Sequence, residues 1–222
     1  MAKLVWDAAG TRWYETGTSH GVLYPFKADG TGYDTGVAWN GLTAVTDSPD
    51  GAEANDMYAD DIKYASLRSA ETAGGTIEAY TYPDEFIPCD GGDNTAAKGL
   101  VIGQQGRRKF GLCYMTKMGN DTSSDVDVAY KLHIVYGATA SPSEKSYETI
   151  NDSPEGMTFS WDFDTTPVAM TGHKPVATLT IDSRTASKTG LAALEAALFG
   201  GDDTEPRLPL PDEVKTLLGK AD

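Results

Sequence analysis

Met157, Phe159, Trp161 and Phe163 alternate with Thr158, Ser160 and Asp162. Successive side chains on a strand point to opposite faces, so this run has one apolar face and one polar face. No helix presents that pattern. The same period recurs elsewhere. Val128, Tyr130, Leu132, Ile134 and Tyr136 alternate with Ala129, Lys131, His133 and Val135, and Phe110, Leu112 and Tyr114 alternate with Gly111, Cys113 and Met115. Residues 62–68, 76–82 and 175–181 read as further strands. Val37, Trp39, Gly41, Thr43 and Val45 share one face of another. Several strands separated by turn-rich gaps predict a mainly β fold, a sandwich or half-barrel.

Three segments depart from this pattern. Pro83-Asp84-Glu85-Phe86 predicts a short helical turn, since proline fits the first turn and acids suit its positive end. Residues 47–57 read as a polar loop, long for a connection between strands. Near the C-terminus, residues 191–199 are strong helix formers, with Leu191, Leu194 and Leu198 on one face and Gly200-Gly201 as the stop. Pro206, Pro209 and Pro211 follow, then an amphipathic piece over 212–218. The expected organisation is a β domain over 1–188 and a C-terminal helix with an extended arm over 189–222.

The charge balance narrows function. With 18 basic and 33 acidic residues the net charge is −15, which disfavours a broad phosphate-binding face. A surface that DNA passes without sticking to is compatible with it. Cys89 and Cys113 are the only cysteines, so neither a disulfide framework nor a cysteine metal site is expected. The N-terminus lacks the apolar run of a secretion signal, and no apolar stretch approaches the ~20 residues that span a bilayer. Synthesis in a reducing cytoplasm is expected.

No chemistry-bearing constellation is complete. Gly17-Thr18-Ser19-His20-Gly21 matches the G-x-S-x-G elbow, but that motif needs a helix after the serine, and Val22-Leu23-Tyr24-Pro25 reads as strand. His20, His133 and His173 are scattered. Asp121, Asp125 and Asp127 fail the EF-hand template, which wants glycine where Val126 stands and glutamate where Leu132 stands. Gly30-Thr31-Gly32 lacks the spacing of a dinucleotide loop. Arg107-Arg108-Lys109, the one basic cluster, reads as a solvated strand end. The expectation is a non-enzyme with no catalytic residue, cofactor or metal.

Longer blocks carry a resemblance. Gly36-Val37-Ala38-Trp39-Asn40-Gly41-Leu42-Thr43 is one, and Tyr58-Ala59-Asp60-Asp61-Ile62-Lys63-Tyr64 is another. Further blocks cover residues 76–86 and 130–145, then Ile150-Asn151-Asp152-Ser153-Pro154 and Leu208-Pro209-Leu210-Pro211-Asp212-Glu213-Val214. Together they resemble the major tail tube proteins of non-contractile, long-tailed bacteriophages of Gram-positive hosts, over nearly the whole chain. The resemblance implies a virion protein, from a phage or prophage, whose subunits join into hexameric rings. The rings stack around a tape measure protein between a distal initiator complex and a tail terminator. DNA leaves through the lumen unbound, and no membrane is involved. The chain departs from some relatives in showing no immunoglobulin-like C-terminal domain, which argues against cell-surface adhesion.

Joining sheet edges into a ring removes exposed edges, and head-to-tail stacking does not close, so it makes a filament. The expected contact residues lie in the N-terminal segment, the polar loop and the arm: Trp6; Asp47, Pro49, Glu53, Asp56 and Met57; Leu208, Leu210, Pro211 and Val214. The alternative is an all-β carbohydrate- or receptor-binding module of a phage or prophage particle, with Trp13, Tyr14 and Trp39 stacking on sugars.

Overall fold

The computed structural model describes residues 3–51, 53–123, 128–150, 152, 156–201 and 204–219. Its strands are β1 (Trp13–Pro25), β2 (Val37–Trp39), β3 (Leu42–Asp47), β4 (Asp50–Gly51), β5 (Ala54–Ala59), β6 (Ile62–Arg68), β7 (Glu71–Thr72), β8 (Gly74–Ala79), β9 (Phe110–Asn120), β10 (Ala129–Ala140), β11 (Phe159–Thr165) and β12 (Thr178–Asp182). Two helices follow, α1 (Lys188–Phe199) and α2 (Pro211–Leu218). The short turn predicted after Pro83 is a 3-10 helix, Asp84–Phe86.

The main sheet runs β2-β1-β9-β10-β11-β8-β3, with β12 also on β10. All its pairings are antiparallel. β10 serves two layers. Lys131 to Val135 pair with β12, whereas Ala138 to Ala140 pair with β11. Between them the β9–β10 register shifts and Gly137 adopts φ 60°, so the chain bends from one layer into the other. The result is a β-sandwich, as the alternation predicted.

Two apolar clusters hold it. The first lies between the layers: Leu23, Trp39, Ile77, Phe86, Phe110, Leu112, Trp161 and Phe163 are buried together. The second lies outside β1, β9, β10 and β12, where Val22, Tyr24, Cys113, Ile134 and Tyr136 meet Leu191, Leu194 and Leu198 of α1. Burial on both faces, with a helix on one side, explains why residues 110–115 of β9 and 134–138 of β10 carry no charged side chain. Ser187 caps α1 by accepting from the Gly190 N–H at 3.1 Å.

The structure corrects two readings. Residues 37–45 form two strands, because Asn40 and Gly41 make a turn and Gly41 takes φ 76°. Residues 47–57 are mostly strand, not loop: β4 and β5 lie there and pair with β7 and β6. Sequence reading misses this because a polar strand facing solvent lacks alternation.

Candidate assembly surfaces

Between β3 and β8 the chain leaves the sandwich as one long hairpin, through β4–β7 and then β5–β6. Asp60 and Asp61 form its tip with φ 52° and 61°, the positive values that a tight hairpin turn requires. The register puts Asn55, Met57, Ala59, Ile62, Ala65 and Leu67 on one, mostly apolar face, and Asp56, Tyr58, Lys63, Ser66 and Arg68 on the other. Lys63 and Asp56 pair at 2.8 Å on the charged face. That bond holds the Asp56 carboxyl below its usual range. The apolar face is open, with Ile62 65% and Leu67 59% exposed. A two-stranded ribbon alone is marginal in water, and exposed apolar patches of this kind mark interaction sites.

Each expected contact residue has a definite place. Asp47 ends β3, Pro49 and Glu53 are exposed on the hairpin's first leg, and Met57 lies on its apolar face. The second leg, with Ile62 and Leu67, was not among the expected residues. The signal was present: apolar positions flank the Asp60-Asp61 turn on both sides. Trp6 is 74% exposed beside exposed Leu4 and Val5. This segment is moored behind them, where the Gly10 N–H donates to Asp121 at 3.0 Å and the Asn120 amide donates to the Gly10 carbonyl at 2.9 Å.

The C-terminal residues behave differently. Leu208, Pro211 and Val214 are buried against the subunit's own strands and α1, and only Leu210 is exposed. The expected extended arm is a clasp in this conformation. Tyr136 donates its hydroxyl to the Pro209 carbonyl at 2.8 Å, and the Gly36 N–H donates to the Pro206 carbonyl at 2.8 Å. Leu208 fits there because Gly111 has no side chain; a Cβ at 111 would lie 2.2 Å from Leu208 Cδ2. Arg207 grips Glu213, and Asp212 accepts from Thr171.

The clasp is expected to be acid-sensitive. Arg207 lowers the pKa of Glu213, and Thr171 lowers that of Asp212. A carboxyl depressed by folding contributes stability that is fully present above its unfolded pKa of about 4 and is lost as pH falls through the depressed value. Asp182, held at about 2 by Arg184, follows the same sign on β12. Hydrogen exchange on acidification is therefore expected to show the Arg207 and Val214 amides losing protection before those of β9.

On the outer face of the β3–β8–β11 layer Thr46, Asp162 and Asp164 are exposed, and Thr76 and Glu78 are half-buried. Cross-strand ladders there join Thr46, Thr76 and Asp162, and Ala44, Glu78 and Ser160, with Asp164 beyond. Thr76 donates its hydroxyl to Asp162 at 2.7 Å. None of the three strands contains lysine or arginine. Among the described residues β3 and β12 each pair on one side only, so each offers a free backbone edge.

The motifs weighed for chemistry fall elsewhere. Ser19 lies within β1, a strand that continues through it, and its hydroxyl is 3.1 Å from His20 Nδ1. His133, placed by sequence on a polar face, is half-buried, stacked on Tyr114 at 4.7 Å and bonded to Thr116 at 2.9 Å. Burial lowers its pKa. His173 sits in a turn. Asp125 and Asp127 lie outside the described residues. Arg107 pairs with Asp90 at 3.2 Å, which also binds Lys145 at 2.5 Å. Of the aromatics considered for sugars, Trp39 is buried in the core, and Trp13 lies under the Arg184 guanidinium at 4.7 Å. Among the described residues, no three metal-ligating side chains gather, and no helix is long and apolar enough to cross a membrane.

A search of curated proteins finds no match. The family model described as phage tail tube protein matches residues 27–201. That span includes the amphipathic hairpin, α1 and every strand of the sandwich except β1, which precedes it. The chain therefore belongs to the phage tail tube proteins, a family of structural components of the virion tail.

Proposed function

We propose that this subunit builds the tail tube as stacked hexameric rings and that the genome leaves through their common lumen. The amphipathic hairpin carries this reading. It holds an apolar face clear of its own core, so a second copy of the chain is its natural cover. Residues 1–188 supply the ring-forming body and residues 189–222 its flank. The free edges of β3 and β12 support lateral joining, because edge-to-edge pairing satisfies their backbone groups. The hairpin and the Trp6 segment reach from one ring to the next, with Asp47, Pro49, Glu53, Asp56 and Leu210 at the rim of these contacts. Leu208, Pro211 and Val214 join them only if the clasp opens on assembly. Tape measure, initiator and terminator proteins are the expected partners.

The acidic face of β3, β8 and β11 is the proposed lumen wall. A wall without cations cannot release counterions from DNA, so DNA slides. Replacing Glu78 and Asp164 by lysine is expected to leave tube formation intact. The variant tubes are expected to retard linear DNA at low salt, salt to abolish the effect, and native tubes to leave the DNA unretarded. Sedimentation velocity tests assembly itself. The sedimentation coefficient is expected to rise steeply with concentration, and a single slow boundary at all concentrations, with initiator and tape measure present, would count against it.

A further inference from the structure

Asn40 and Gly41 are the chain's one Asn-Gly dipeptide and form the link between β2 and β3, the two ends of the strand order. Both are exposed. The Asn40 side-chain amide has no hydrogen-bond partner among the described residues. Gly41 is held in place: its carbonyl accepts the Tyr80 N–H at 2.8 Å, and its φ of 76° disfavours a side chain, which would also crowd Thr81. A shallow groove with Ser19, His20 and Gly21 on its other wall keeps the link open to water. An unrestrained carboxamide followed by a residue without a side chain is what intramolecular cyclisation needs.

We propose that Asn40 is a site of spontaneous self-modification. The Gly41 backbone nitrogen attacks Asn40 Cγ and gives its proton to solvent base, and the new N–C bond forms as the Cγ–N bond breaks. Ammonia leaves, closing a succinimide. Water then opens the ring at either carbonyl, giving aspartate or isoaspartate, so one water is consumed and one ammonia released. Each product adds a negative charge. Isoaspartate also inserts a methylene into the backbone immediately after Trp39. That residue is buried and donates its indole N–H to the Thr81 carbonyl at 2.9 Å, and Leu42 must still pair with Ala79. The longer link slackens the junction between the two layers, so the modification dates a subunit and loosens it with age.

The test is warm, mildly alkaline incubation of the folded protein in water enriched in heavy oxygen, followed by peptide mapping with isoaspartate detection. The expected result is label and isoaspartate at position 40, increasing with time and pH, with Asn55 in the same tryptic peptide unchanged. Asn40→Gln is expected to remove the signal, and its melting temperature provides the check on folding. An unmodified Asn40 in the folded protein, alongside rapid change at Asn40 in the denatured chain, would overturn the proposal. So would preferential modification of Asn55, Asn94 or Asn120.

Discussion

Ile62→Asp combined with Leu67→Asp is expected to abolish tube formation while leaving the subunit as stable as before. Both side chains lie on the hairpin's apolar face, 65% and 59% exposed. They are absent from both apolar clusters of the sandwich. Exposed substitutions of this kind usually change stability by no more than about 0.5 kcal/mol. In a stacked assembly the same side chains are covered, and each contributes roughly 1.5–3 kcal/mol on burial. A carboxylate there must also be desolvated without a partner. The effect repeats at every subunit of every ring. Electron microscopy and thermal melting on one preparation separate the two readouts: tubes lost, melting unchanged. Loss of both would mean that the hairpin is part of the subunit's own stability.

Trp161→Ala is expected to have the largest effect on folding. The indole is fully buried between the layers, with the rings of Phe86, Tyr82 and Trp39 at 5.2, 5.3 and 5.8 Å. Truncating a buried aromatic costs about 3–5 kcal/mol, a large share of the roughly 5–15 kcal/mol that holds a domain together. Urea unfolding is expected to show a lower midpoint with little change in slope. Trp161→Phe is expected to lose much less. It keeps most of the ring contacts and removes an indole N–H that finds no acceptor among the described residues, a buried donor that costs about 1–3 kcal/mol.

Trp161 also shows what was legible in the sequence. It stands at the centre of the clearest alternation in the chain, and both its strand and its burial follow from that alternation. Leu191, Leu194 and Leu198 likewise announce a helix lying on the sheet. The hairpin was only half legible. Ile62 and Leu67 look like part of a core strand, and nothing local says that their face is left open. Residues 47–57 looked like loop because a ribbon that faces water on its charged side needs no apolar alternation there. Leu208 and Val214 were placed in an arm by the prolines around them, yet they pack at home. Whether an apolar residue in a Pro-rich segment is spent inside its own subunit depends on a distant cleft, here the space above Gly111. The acidic face of β3, β8 and β11 was legible only as a net charge. That three strands present acids with no cation among them depends on the register that sets Glu78 and Asp162 on one face.

The most direct measurement is negative-stain electron microscopy of the concentrated protein, alone and then with the matching initiator complex and tape measure. The account predicts hollow tubes of uniform width with sixfold end views, at least in the second sample. Particles that remain single subunits in both samples would contradict it.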